Sequence, residues 1–204
     1  MTDAPLDPRR TALLTIDLQN DFLHPNGAYG RAGQSAEAIA ALPARIAPLR
    51  EALRAKGGPH ISAQFTLVPG PDGEPLISPH LKALRPFLTR GDFAPGSWGN
   101  TVVDALAGPD GVIEKVAYSA FYQTRLEFLL RALKVEALIV GGIVTNGGVA
   151  STLRDAHLRD LPTILLSDGC AAFDAAVHEA TLTSLRTVTR QMTCDQAQAM
   201  LEAA

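Results

Sequence analysis

Short runs of aliphatic and β-branched residues alternate along the chain with longer stretches in which apolar positions recur at helical spacing. The runs at residues 11–17 (TALLTID), 60–65 (HISAQF), 111–116 (GVIEKV), 137–142 (ALIVGG), 162–168 (PTILLSD) and 190–194 (RQMTC) are predicted strands. Helices are predicted at 35–56, 124–134, 146–159, 174–188 and 195–203. Such alternation predicts an α/β fold, a parallel sheet with helices on both faces. The helix at 146–159 starts beside Asn146, a suitable N-cap, and sets Val149, Leu153, Ala156 and His157 near one face, which is expected to offer a subunit contact. Residues 68–99, between the second and third strands, are too rich in Pro and Gly for regular structure; they are expected to cross the active edge, a common place for substrate contacts.

Composition narrows the class. A chain of 204 residues, 47% hydrophobic and 19% charged, can bury a substantial core and is expected to form a single domain over 1–204. Lys and Arg number 18 against 21 Asp and Glu, a net charge of -3, so no basic excess attracts nucleic acid. The N-terminal stretch MTDAPLDPRRTALLTIDLQ lacks a basic leader followed by an apolar core, and no window reaches the roughly 18 apolar residues of a membrane span. No membrane partner and a cytoplasmic location are expected. Cys170 and Cys194 are expected to be free thiols.

In an open parallel sheet, ligands bind beyond the carboxyl ends of the strands, so the polar residues that close each apolar run carry the candidate chemistry. The first run closes in Asp17, a carboxylate that is costly to bury unless it is paired or used; it is either a satisfied structural group or a functional one. The third closes in Lys115, which either snorkels to solvent or sets a fixed positive charge in the same crevice; Glu114 beside it points to the opposite face. The second run places Gln64 at its end, and the fourth leads into GGIVTNGGVAS, whose glycines let backbone approach a ligand closely. Phe93, Trp98 and Phe121 are candidate apolar walls of a pocket, equally suited to plain packing.

The segments TIDLQNDF, SAQ, EKVAYSAFYQTRLEFLL, GGIVTNGGVASTLRDA and SDGCAAF, in this order and spacing, resemble the isochorismatase-like hydrolase superfamily over nearly the whole chain. The resemblance implies a doubly wound, six-stranded parallel sheet of Rossmann-like topology, a homo-oligomer (dimer or tetramer), a small-molecule substrate and no cofactor. In the amidohydrolase branch an Asp, a Lys and a Cys are catalytic; the first two match Asp17 and Lys115, while the place of the cysteine is held by Gly148. Without sulfur no acyl-enzyme forms. True isochorismatases are similar in carrying Gly there, with an Ala-Gln pair that matches Ala63 and Gln64; their Asp protonates a vinyl ether and needs no nucleophile. The loop GIVTN is nearer the amidase pattern, and Ala117 stands where an Arg is frequent.

The resemblance further implies a non-proline cis peptide at Val144–Thr145 or one bond earlier, and substrate contacts from Phe22, Gln64, Trp98, Phe121, Val144, Thr145, Asn146 and Gly147. Some nicotinamidases hold a metal through an Asp and two His; Asp72 and His80 echo that set only weakly, and no required metal is expected. The expectation that follows is hydrolysis of a vinyl ether or related anionic metabolite by Asp17 acid catalysis. Two alternatives stay open: an amidohydrolase-type protein whose thiol is replaced by Gly148, naturally or by design, and a catalytically silent binding protein.

Overall fold

The computed structural model describes residues 6–203; residues 1–5, the start of the N-terminal stretch considered above, and Ala204 lie outside the described residues. Six strands form one all-parallel sheet: β1 (Thr11–Ile16), β2 (His60–Phe65), β3 (Gly111–Lys115), β4 (Ala137–Ile143), β5 (Thr163–Ala171) and β6 (Arg190–Met192). Their order is β3-β2-β1-β4-β5-β6, the doubly wound arrangement whose direction of winding reverses between β1 and β4. A ligand crevice opens at that reversal, beyond the carboxyl ends of the two strands.

The helices are α1 (Asn20–Leu23), α2 (Ala28–Arg31), α3 (Glu37–Ala40), α4 (Leu42–Ala55), α5 (Pro79–Leu84), α6 (Leu126–Ala132), α7 (Ala150–His157), α8 (Ala175–Leu185) and α9 (Cys194–Glu202). Every residue of β1 is buried, because both faces are covered. Ala12, Leu14 and Ile16 face a core closed by α6, α7 and α8, where Leu126, Leu153 and Leu185 are fully buried. Leu13 faces the opposite core with Ile46 and Leu49 of α4 and Leu201 of α9. On this second face the polar Thr15 hydroxyl meets Nε2 of buried His60 at 2.9 Å, while His60 Nδ1 has no hydrogen-bond partner among the described residues.

Several boundaries differ from the pattern-based reading. The helix expected at 35–56 is divided at Ala41 into α3 and α4, with Pro43 in the first turn of α4, where a missing N–H costs nothing, while Pro48 is accommodated inside α4. β5 runs on past Asp168 to Ala171, with a register shift against β4 between Val140 and Gly142. The helix expected from Asn146 begins as a π-helical turn, Thr145–Val149, before α7. Of the face expected to meet another subunit, Val149, Leu153 and Ala156 are fully buried in this chain's own core, and His157 alone is exposed.

The excursion between β2 and β3 holds one short helix, α5, and a small core of its own. Tyr29, Leu67, Leu88 and Phe93 are buried there, with Phe22, Phe65 and Phe87 packed against them. Asp21 fastens it: one carboxylate oxygen accepts the Ala28 N–H at 3.0 Å, the other the Phe93 N–H at 2.6 Å.

Candidate active site

The carboxyl ends of β1, β2, β3 and β4 converge on a cavity of about 520 Å³, within the range of small-molecule sites. Asp17 follows β1 directly and takes a left-handed backbone conformation, φ 58°, which is costly for a non-glycine residue and is concentrated at functional sites. Its N–H donates to the Ala63 carbonyl at 2.8 Å, so the neighbouring strand holds this turn. At the same crossing Gly142, with φ 126°, lies so close to β1 that a Cβ would sit 2.2 Å from the Ile16 carbonyl oxygen. No other residue fits where the sheet reverses.

Lys115 ends β3 and is 1% exposed, too buried to snorkel. Its Nζ donates to Asp17 Oδ2 at 2.8 Å and to the Ala117 carbonyl at 3.1 Å, leaving one ammonium hydrogen uncommitted on a residue that lines the cavity. Asp17 Oδ1 accepts the Phe65 N–H at 3.0 Å. That N–H is shared with Gln19 Oε1 at 2.8 Å, while the Gln19 amide donates to the Phe65 and Asn100 carbonyls. Burial pushes the Asp17 carboxyl above its ordinary value, against the opposing pull of Lys115, the Phe65 N–H and the more distant Arg85. The result is an ion pair whose carboxylate takes up a proton more readily than a surface Asp.

Gly148 borders the same cavity. A Cβ there would stand 3.3 Å from Asp17 Oδ2, but also 2.9 Å from Ile16 Cγ2 and 3.0 Å from the Ile143 carbonyl oxygen, so the site is shaped around a residue without a side chain. Thr152 pins this turn: its hydroxyl donates to the Gly148 carbonyl at 2.7 Å and accepts the Ala120 N–H at 2.9 Å. The cis peptide lies at Ile143–Val144.

Of the residues expected to contact substrate, Phe22, Val144 and Asn146 line the cavity with Asp17, Lys115 and Gly148. Five others do not. Gln64 pairs with Glu114 and Phe65 with Lys115 in the β2–β3 register, so the alternation of a strand turns Phe65 to the cavity and Gln64 to the opposite face. Trp98 is half exposed and sets its ring edge-on against His24. Phe121 is buried in the main core with the Arg159 guanidinium 4.7 Å above its ring, and Phe93 is fully buried in the excursion. Thr145 is buried and bonded through its hydroxyl to His178 Nδ1 at 2.8 Å. A Cβ on Gly147 would meet Val144 and Tyr118 side chains, so this residue supports the wall without forming it.

The cavity also takes Tyr29 and Arg85, with Tyr118 and Phe173 at its mouth. Nothing in the sequence pattern marked Arg85; Phe173 closes the segment SDGCAAF and Tyr118 stood in the motif YSAF, though neither was singled out as a contact. No cysteine lines the cavity among the described residues. Cys170 is buried with its thiol toward the Val140 carbonyl, and burial raises its pKa; burial likewise pushes Cys194 up to about 12. Neither is poised as a thiolate. Among the described residues no group of three or more His, Cys, Asp and Glu is arranged to hold a metal ion; His80 lines the cavity, while Asp72 sits in an exposed turn accepting the Glu74 N–H. No helix of the described residues is long and apolar enough to cross a membrane.

A doubly wound sheet with a buried Asp–Lys pair opening onto a cavity defines a small-molecule site, and comparison with known proteins gives its class. Residues 11–197 match the isochorismatase domain family, and the chain belongs to that family of hydrolases. It is 38% identical over 194 residues to ureidoacrylate amidohydrolase RutB of Methylobacterium radiotolerans, covering 89% of this chain and 75% of that one. RutB of Methylorubrum extorquens AM1 is 35% identical, with 89% and 78% covered. Among solved structures, a cysteine hydrolase from Pseudomonas syringae pv. phaseolicola 1448A superposes with a TM-score of 0.84 at 28% identity, covering 98% of this chain and 96% of that one.

Proposed function

We propose that this protein hydrolyses a small amide of the ureido or carbamoyl type with water, not a thiol, as the nucleophile. The observation that carries the proposal is the Asp17–Lys115 pair, 2.8 Å apart, opening onto a cavity lined by Gly148 and by no cysteine among the described residues. The similarity to ureidoacrylate amidohydrolases supports an amide over a vinyl ether.

In this mechanism the Asp17 carboxylate takes a proton from a water beside Gly148 as that water adds to the substrate carbonyl. A base whose pKa is raised toward the working pH by burial is better matched to this task than an ordinary carboxylate. The uncommitted Lys115 hydrogen meets the oxygen on which charge develops. As the tetrahedral adduct collapses, the carbon–nitrogen bond breaks and Asp17 returns its proton to the leaving nitrogen. Lys115 remains protonated throughout.

The raised carboxyl also favours a second reading, in which protonated Asp17 donates a proton to a vinyl ether and water adds to the resulting cation. Turnover assays with ureido and carbamoyl acids, nicotinamide and isochorismate, on wild type and Asp17→Asn, separate the two. Hydrolysis of a ureido or carbamoyl acid, lost in Asp17→Asn, is the expected result. Hydrolysis of isochorismate alone supports the second reading, and binding without turnover of any compound contradicts both.

A further inference from the structure

The cavity wall opposite the ion pair holds a second cation whose hydrogen bonds are incomplete. Arg85 follows α5 in the excursion; its Nε donates to the Tyr29 hydroxyl at 2.7 Å, and the Tyr118 side chain is close enough to act on its charge. Its Nη1 is buried and makes no hydrogen bond among the described residues. A guanidinium nitrogen sealed from water without an acceptor is a costly arrangement. None of the ion pairs among the described residues involves Arg85.

The two carboxylates of the lining are already hydrogen-bonded elsewhere. Asp17 faces Lys115, and Asp174 caps α8 by accepting the Ala176 N–H at 2.7 Å. Arg85 is left without an ion-pair partner among the described residues in a mostly apolar cavity, near enough for its charge to act on Asp17. The planar fork of a guanidinium matches a carboxylate, which can accept two parallel N–H bonds. The Tyr29 bond holds the fork, so less freedom is lost when an anion arrives.

We propose that Arg85 is the substrate-anion receptor of this site, taking a carboxylate at the end of the molecule remote from the bond that Asp17 and Lys115 address. It rests on the proposed function for the identity of the reacting end, but not for the charge of the other. The preferred substrates are then acids with a hydrolysable carbonyl at one end and a carboxylate at the other, and neutral amides of the same length are poor ligands.

Calorimetric binding of 3-ureidopropionate and of its neutral counterpart 3-ureidopropionamide tests this without relying on turnover. Wild type is expected to bind the acid roughly 10- to 100-fold more tightly, as a hydrogen-bonded charge warrants. Arg85→Met is expected to abolish the preference, and Arg85→Lys, which keeps the charge but not the fork, to retain part of it. Equal affinity of wild type for both compounds, no detectable binding of the acid at millimolar concentration, or a preference that survives Arg85→Met would overturn the proposal. A carboxylate preference without hydrolysis leaves Arg85 in its role and removes the hydrolytic function; hydrolysis of both compounds with equal affinity does the reverse.

Discussion

The floor and the roof of the cavity are built on different principles. The floor is made of strand ends: Asp17, Lys115 and Gly148 are placed by a sheet whose pairing register fixes them, and each polar group there is bonded. The roof comes from the excursion, the segment after β3 and the start of α8, where Leu84, Tyr118, Phe173 and Val177 remain exposed by about two-fifths or more. The proposed chemistry, which needs sub-ångström placement, is thus assigned to strand ends, and the proposed recognition to connecting segments.

Substitutions should separate the two regions by effect. The largest change is expected on the floor: Asp17→Asn keeps the shape but removes the proton acceptor, and kcat/KM for a ureido or carbamoyl acid should fall by about 10²- to 10⁴-fold. Lys115→Met strands a buried carboxylate and should lower stability by about 3–5 kcal/mol in urea unfolding. Its cost should shrink in the Asp17→Asn background, and equal costs in both backgrounds would contradict the pairing.

The sheet beneath the floor should show itself in pH dependence. Burial holds His60 down to about 4, below its ordinary 6.5, so between these values the unfolded chain binds a proton that the folded chain refuses. Stability is therefore full above pH 6.5 and falls as pH drops toward 4, by about 3 kcal/mol for a shift of this size. Asp17, raised in the fold, contributes with the opposite sign. The difference between wild type and His60→Gln in unfolding at pH 7 and pH 5 isolates the histidine, and parallel slopes would refute its part. The smallest effect on stability is expected on the roof: Leu84→Ser, at a residue 59% exposed, should change it by less than about 0.5 kcal/mol while raising KM.

The same contrast explains what the sequence made legible. Strands announce themselves as apolar runs, and the polar residues that close the first and third line the candidate cavity, which is how Asp17 and Lys115 were legible. Gln64 misled because its run ends one residue later, and one residue along a strand reverses the face. Arg85, Tyr29 and Phe173 come from segments without a period, brought to the cavity by bonds such as those of Asp21 to the Ala28 and Phe93 N–H groups. The start of α4 was marked by Pro43, whereas the π-helical turn at Thr145–Val149 depends on tertiary placement that no local pattern encodes.

The central claim is that Asp17, without a thiol, carries hydrolysis, and the most direct test is turnover of a ureido or carbamoyl acid by Cys170→Ala/Cys194→Ala protein across a pH series. The account predicts activity close to wild type, an acid limb set by a carboxyl titrating above the ordinary value of 3.8, and loss of activity when Asp17→Asn is added. Loss of activity in the folded cysteine-free protein, or activity that survives Asp17→Asn, would contradict it.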